Sequence, residues 1–175
     1  MNIKLSITAL LFSFFMLNSV IAQQSSFVKS QVVEASADEV WERLRQLDKL
    51  EEIVPNLLQS SWIHDNAAPG VGVTRSCAAL GTPKGEASYS EKILEFSDAE
   101  RYYKYAVIQG TPTKNMINSL RVVDLGYQKC MVVWTSDREA FMKNPQMTEQ
   151  QFNDFLANAG QSIVDGVAKL HSKRK

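Results

Sequence analysis

Phe152, Phe155, Leu156, Ala159, Ile163, Val167 and Leu170 recur three or four residues apart and mark one apolar stripe near the C-terminus. That spacing predicts an amphipathic helix. Thr148-Glu149-Gln150-Gln151 precedes the stripe as a capping box with Gln at its third helical position, which fixes where the helix begins. The helix is expected to run about 22 residues, or roughly 33 Å at 1.5 Å per residue. An apolar face of that length must lie against something broad. The preceding chain supplies it, because from Leu57 to Glu139 the hydrophobic period drops to two, the period of strands.

The predicted strands cover residues 27–33, 58–64, 71–80, 86–96, 101–108, 116–125 and 129–136. Most connections are of hairpin length, such as Asp65-Asn66-Ala67-Ala68-Pro69-Gly70 and Gly81-Thr82-Pro83-Lys84-Gly85, so the strands read as an antiparallel meander. Between the first two, Ser36-Ala37-Asp38-Glu39 is another capping box, followed by Val40, Trp41, Leu44 and Leu47 at helical spacing. Asp48 is placed to cap a second short helix with Leu50, Ile53 and Val54, which Pro55 limits. The fold class is therefore α+β: seven antiparallel strands, two short helices after the first strand, and a long helix last.

Residues 1–22 do not fit this scheme. Lys4 precedes a mostly apolar run from Leu5 to Leu17, and Val20-Ile21-Ala22 supplies a cleavage site, so the segment reads as a secretory signal peptide. The run is short and broken by Ser and Thr for a bilayer span of about 20 apolar residues. Residues 23–175 are then the single domain, and the expected location is periplasmic or secreted. Cleavage removes one lysine and no acid, which leaves 18 basic against 19 acidic residues. A near-neutral chain lacks the basic surface that nucleic acid requires. The one basic cluster, Lys169, Lys173, Arg174 and Lys175, is the solvated charge common at a helix C-terminus.

The order of elements resembles the START-like helix-grip (SRPBCC) superfamily, which includes Bet v 1 allergens, polyketide cyclases and plant abscisic-acid receptors. The matching segments are Ala37 to Leu47, Gly72-Val73-Thr74-Arg75, Tyr89-Ser90-Glu91-Lys92-Ile93, Gly110, and Val132-Val133-Trp134. The chain is most similar to bacterial polyketide-cyclase-like members. The resemblance implies a curved sheet gripping the last helix, with a cavity between them that takes a small hydrophobic molecule. It also implies which sides of the strands face inward. Alternation then gives Arg75, Cys77 and Ala79, Tyr89, Glu91 and Ile93, Tyr103, Tyr105 and Val107, and Cys130, Val132 and Trp134. Phe155, Ala159 and Ile163 contribute from the helix.

Arg75 and Glu91 would lie on neighbouring strands, either orienting a ligand's polar end or forming a purely internal salt bridge. The resemblance places two mouth loops at Gly81, Thr82 and Pro83 and at Gly110, Thr111 and Pro112, where ordinary turns are the alternative. No Lys stands in Gln59 to Ile63, where the hormone receptors bind a carboxylate, so abscisic acid is not implied. In the family's sheet the third and seventh strands are not neighbours, so Cys77 and Cys130 are expected to stay unpaired.

Enzyme signals are sparse. His64 and His171 are the two histidines, no spacing resembles a metal site, and no phosphate loop or nucleophile elbow occurs. No cofactor is expected. The leading reading is a binding module for a lipid or aromatic metabolite, with no catalytic residue assigned. The alternatives are a cyclase- or aromatase-like enzyme using Glu91, a tyrosine or Arg75, and an accessory protein of a periplasmic oxidation system.

Overall fold

The computed structural model describes residues 25–172. The expected signal peptide and the last three residues of the basic tail lie outside them. Seven strands form one antiparallel sheet: β1 (Ser25–Val33), β2 (Leu58–Ile63), β3 (Thr74–Ala79), β4 (Tyr89–Ser97), β5 (Tyr102–Gln109), β7 (Ile117–Gly126) and β8 (Lys129–Arg138). Their order is β1-β8-β7-β5-β4-β3-β2, so β1 and β2, consecutive in sequence, form opposite edges. The short helices α1 (Ala37–Leu44) and α2 (Leu50–Ile53) fill the interval between those two strands. A two-stranded ribbon of β6 (Thr113–Lys114) and β9 (Ala140–Phe141), absent from the sequence expectation, sits beside the sheet. The long helix α3 (Glu149–Ser172) closes the domain. This is the helix-grip arrangement expected from the sequence.

Capping chemistry explains where α1 and α3 start, whereas α2 has Lys49 at its N-cap with no side-chain cap, in place of the Asp48 cap expected. Ser36 Oγ accepts from the Glu39 amide at 3.2 Å at the head of α1. At α3 the capping box is reciprocal: Thr148 Oγ1 accepts from the Gln151 amide at 3.2 Å, and Gln151 Oε1 accepts from the Thr148 amide at 2.8 Å. Arg138 at the end of β8 reaches Glu149 at 2.7 Å and ties the first turn of α3 to the sheet.

The interior divides into two clusters. The larger joins α1, α2 and the sheet to the C-terminal half of α3, through Ile163, Val164 and Val167. The smaller gathers Met116, Phe152 and Leu156 under the N-terminal half of α3, with Phe27, Val107, Phe141 and Met147 around it. Glycine permits two close approaches of α3. A Cβ at Gly160 would overlap the Trp134 ring, and a Cβ at Gly166 would overlap the Ile53 carbonyl oxygen. At these two points the backbone of α3 comes directly against β8 and α2. Among the described residues no helix is long and apolar enough to cross a membrane.

Candidate functional site: a cavity between sheet and helix

The two clusters do not merge. Between them lies a cavity of about 340 Å³. Its wall is mostly apolar: Leu50, Val54, Leu57 and Leu58 from the α2–β2 segment, and Phe152, Leu156, Ala159 and Ile163 from α3. Ala79, Val107, Met116, Met147 and Trp134 complete that surface. Phe155, half exposed, stands at its rim. The polar contribution comes from Ser88, Tyr89, Glu91, Tyr105, Asn118, Thr111, Asn144 and Gln146.

Of the residues singled out from the sequence, Ala79, Tyr89, Glu91, Tyr105, Val107, Trp134, Phe155, Ala159 and Ile163 come together around this cavity, as do Gly110, Thr111 and Pro112. Arg75, Cys77, Ile93, Tyr103 and Val132 do not line it. They share the inward parity but lie deeper, where the sheet is covered by neighbouring side chains. Gly81, Thr82 and Pro83 are not part of the wall, although their turn is tied to it through Ser88. Thr82 Oγ1 bonds Ser88 Oγ at 2.6 Å, and Gln59 Nε2 donates to the Thr82 carbonyl at 2.6 Å.

Arg75 and Glu91 are cross-strand partners on β3 and β4 and form a buried ion pair. Arg75 Nε and Nη2 donate to Glu91 Oε2 at 2.8 and 2.5 Å, and Nη1 reaches the Leu47 carbonyl at 3.5 Å. The guanidinium also lies 5.2 Å from the Tyr105 ring centroid and 5.9 Å from that of Tyr103, within cation–π range. Burial acts to lower the Arg75 pKa, but the Glu91 carboxylate, aided by Tyr103, raises it well above the ordinary value. Only the carboxylate member of the pair stands at the cavity wall.

The tyrosines meet the cavity as neutral hydroxyls. Burial, reinforced by the Glu91 charge, pushes the pKa values of Tyr89 and Tyr105 well up. Trp134 Nε1 donates to the Tyr105 hydroxyl at 3.2 Å, which holds two aromatic wall residues in register. Cys77 and Cys130 are both free and buried. Their strands are separated in the sheet by β7, β5 and β4. Burial raises the Cys77 thiol to about 12 and the Cys130 thiol to about 11, so neither is a nucleophile at neutral pH. Among the described residues no group of His, Cys, Asp and Glu is arranged to hold a metal ion.

Among the wall residues that the sequence reading passed over, Asn118 is the buried polar one. It lies on β7 opposite Tyr105, is 4 % exposed, and its Oδ1 has no hydrogen-bond partner. The available signal was a polar residue in the buried row Met116, Asn118, Leu120 and Val122, where period two predicts only apolar side chains.

The family described as polyketide cyclase/dehydrase and lipid transport has a sequence model that matches residues 24–171. No curated protein matches the chain by sequence. Among solved structures it is similar to the protein XoxI from Bacillus cereus, at 17 % identity and a TM-score of 0.67, over 84 % of this chain and 95 % of that one. Norcoclaurine synthase from Thalictrum flavum, in complex with dopamine and hydroxybenzaldehyde, aligns at 20 % identity and a TM-score of 0.67, over 99 % of both chains. A Nitrosospira multiformis protein aligns at 19 % identity and a TM-score of 0.66, over 86 % of this chain and all of the other. At these identities the likeness is one of fold.

Proposed function

Since the chain belongs to the polyketide cyclase/dehydrase and lipid-transport family, we propose that it binds a small hydrophobic or amphipathic molecule between the sheet and α3. The observation that carries this reading is the mostly apolar cavity of about 340 Å³ separating the two hydrophobic clusters. A void with such a wall is either dry or filled by an apolar guest. A guest burying on the order of 200 Å² of apolar surface gains about 5 kcal/mol before ordering costs.

The test is to purify the protein from its native host without detergent and examine it by native mass spectrometry. Ala159→Trp, which places a large ring in the wall, is the comparison. A bound mass on the native protein that Ala159→Trp lacks is the expected result. Ligand-free protein in both samples, even after soaking with lipid extract, would overturn the reading.

A cyclase- or aromatase-like activity is the second reading, and one observation favours it. Both Arg75 bonds fall on Glu91 Oε2, so Oε1 is left without a hydrogen bond at the cavity wall, where it could accept a proton from a guest. Glu91→Gln separates the two readings: an enzyme loses turnover while retaining uptake. Residues 1–22 support export, and a purified protein beginning at Gln23 would establish it.

A further inference from the structure

The polar groups of the wall narrow the class of guest, and this step rests on the binding reading above. Asn118 carries the argument. Asn118 borders the cavity and is 4 % exposed, and its Oδ1 is shut away with no hydrogen-bond partner. A buried amide oxygen without a partner is costly, whereas an amide can both give and take hydrogen bonds. A hydroxyl reaching the amide from the cavity would relieve that cost.

Charge decides which guest can bring that hydroxyl. Among the described residues no Lys, Arg or His belongs to the wall. Arg75 lies behind it and is committed to Glu91. A guest carboxylate or phosphate would find no cation and would meet the Glu91 charge at short range in a poorly screened interior. A guest ammonium fares little better, because the Glu91 charge is already balanced by Arg75. A hydrocarbon leaves Asn118 unsatisfied.

We propose that the guest is an uncharged amphipath whose hydroxyl, alcoholic or phenolic, bonds to Asn118 while its apolar body fills the space between Trp134 and α3. The cavity holds the equivalent of about eleven waters at ~30 Å³ each, which leaves room for a body at least the size of a two-ring aromatic.

The experiment uses four probes of one skeleton: naphthalene, 2-naphthol, 2-naphthoate and (2-naphthylmethyl)ammonium. Affinities for the purified protein are measured at pH 7 by calorimetry. The expected order places 2-naphthol about tenfold tighter than naphthalene, and both ions about a hundredfold weaker than 2-naphthol. Asn118→Leu should erase the preference for 2-naphthol over naphthalene while naphthalene still binds. If that variant does not fold, the ranking on the unaltered protein decides the matter alone. Either ion binding as tightly as 2-naphthol, or naphthalene matching it, would overturn the assignment of guest class and leave the cavity reading standing. Failure of all four probes would overturn both.

Discussion

Removing either member of the Arg75–Glu91 pair should cost far more than removing both. Side-chain exposure is 1 % for Arg75 and 5 % for Glu91, so each charge depends on the other for solvation. Breaking such a pair costs about 3–5 kcal/mol, whereas replacing both members by apolar side chains of similar volume is often neutral. The geometry orders the two single variants. In Arg75→Met the orphaned carboxylate still borders the cavity, where water can reach it and it can take up a proton. In Glu91→Leu the orphaned guanidinium is walled in by Tyr103, Tyr105 and the Leu47 carbonyl and keeps its charge. Arg75→Met is therefore placed near 3 kcal/mol and Glu91→Leu near 5, both order-of-magnitude values, with the double variant within about 1 kcal/mol of the parent. Urea unfolding followed by tryptophan fluorescence measures all four proteins. At a slope of about 2 kcal/mol per molar, the single variants lose roughly 1.5–2.5 M in midpoint. Single variants within about 1 kcal/mol of the parent, or a double variant that loses the sum of the two, would refute the reasoning.

Gly160→Ala gains about 1 kcal/mol of helix propensity, but the added methyl overlaps the Trp134 ring, so a net loss of about 1–2 kcal/mol is expected in thermal unfolding. Gly110→Ala combines a backbone φ of +91° with overlap of the Ser88 carbonyl oxygen, and a loss of about 2 kcal/mol should appear in the same assay. The buried thiols keep their protons to higher pH when folded than when unfolded. Their contribution to stability is therefore complete below pH 8–9 and is lost as pH rises through about 11 and about 12. The melting temperature should fall over that alkaline window, and less steeply in Cys77→Ala. At pH 8 neither thiol should react with a disulfide reagent until the protein unfolds; rapid modification of native protein would contradict the burial.

Much of the architecture was legible because local chemistry and periodicity agree in this chain. The Thr148–Gln151 box and the stripe beneath it define α3 unaided, while alternation sorted the residues of β3, β4, β5 and β8 by side and the family resemblance implied which side faces inward. The ion pair was legible too, since Arg75 and Glu91 share that parity on adjoining strands. What alternation cannot distinguish is an inward residue covered by its neighbours from one left bare. Tyr103 and Tyr105 have the same parity on one strand, yet only Tyr105 borders the cavity, because Trp41 of α1 and Phe96 of β4 pack against the Tyr103 ring. The contributions of Leu50, Val54 and Leu57 were out of reach for the same reason. They depend on how α2 docks against α3, where Gly166 permits contact with the Ile53 carbonyl. At the α1 box Ser36 caps the helix as read, and the Glu39 carboxylate also lies 3.4 Å from His171 Nδ1, an approach between distant segments that local pattern does not contain.

The sheet order has a consequence for how the molecule is made. β1 pairs only with β8, whose residues lie about a hundred positions downstream. As the chain emerges, the first strand stays an unzipped edge until almost everything else has been synthesised, so assembly is late and concerted rather than stepwise. A chain built this way keeps a long unfolded interval, together with the aggregation hazard of an open strand that such an interval carries.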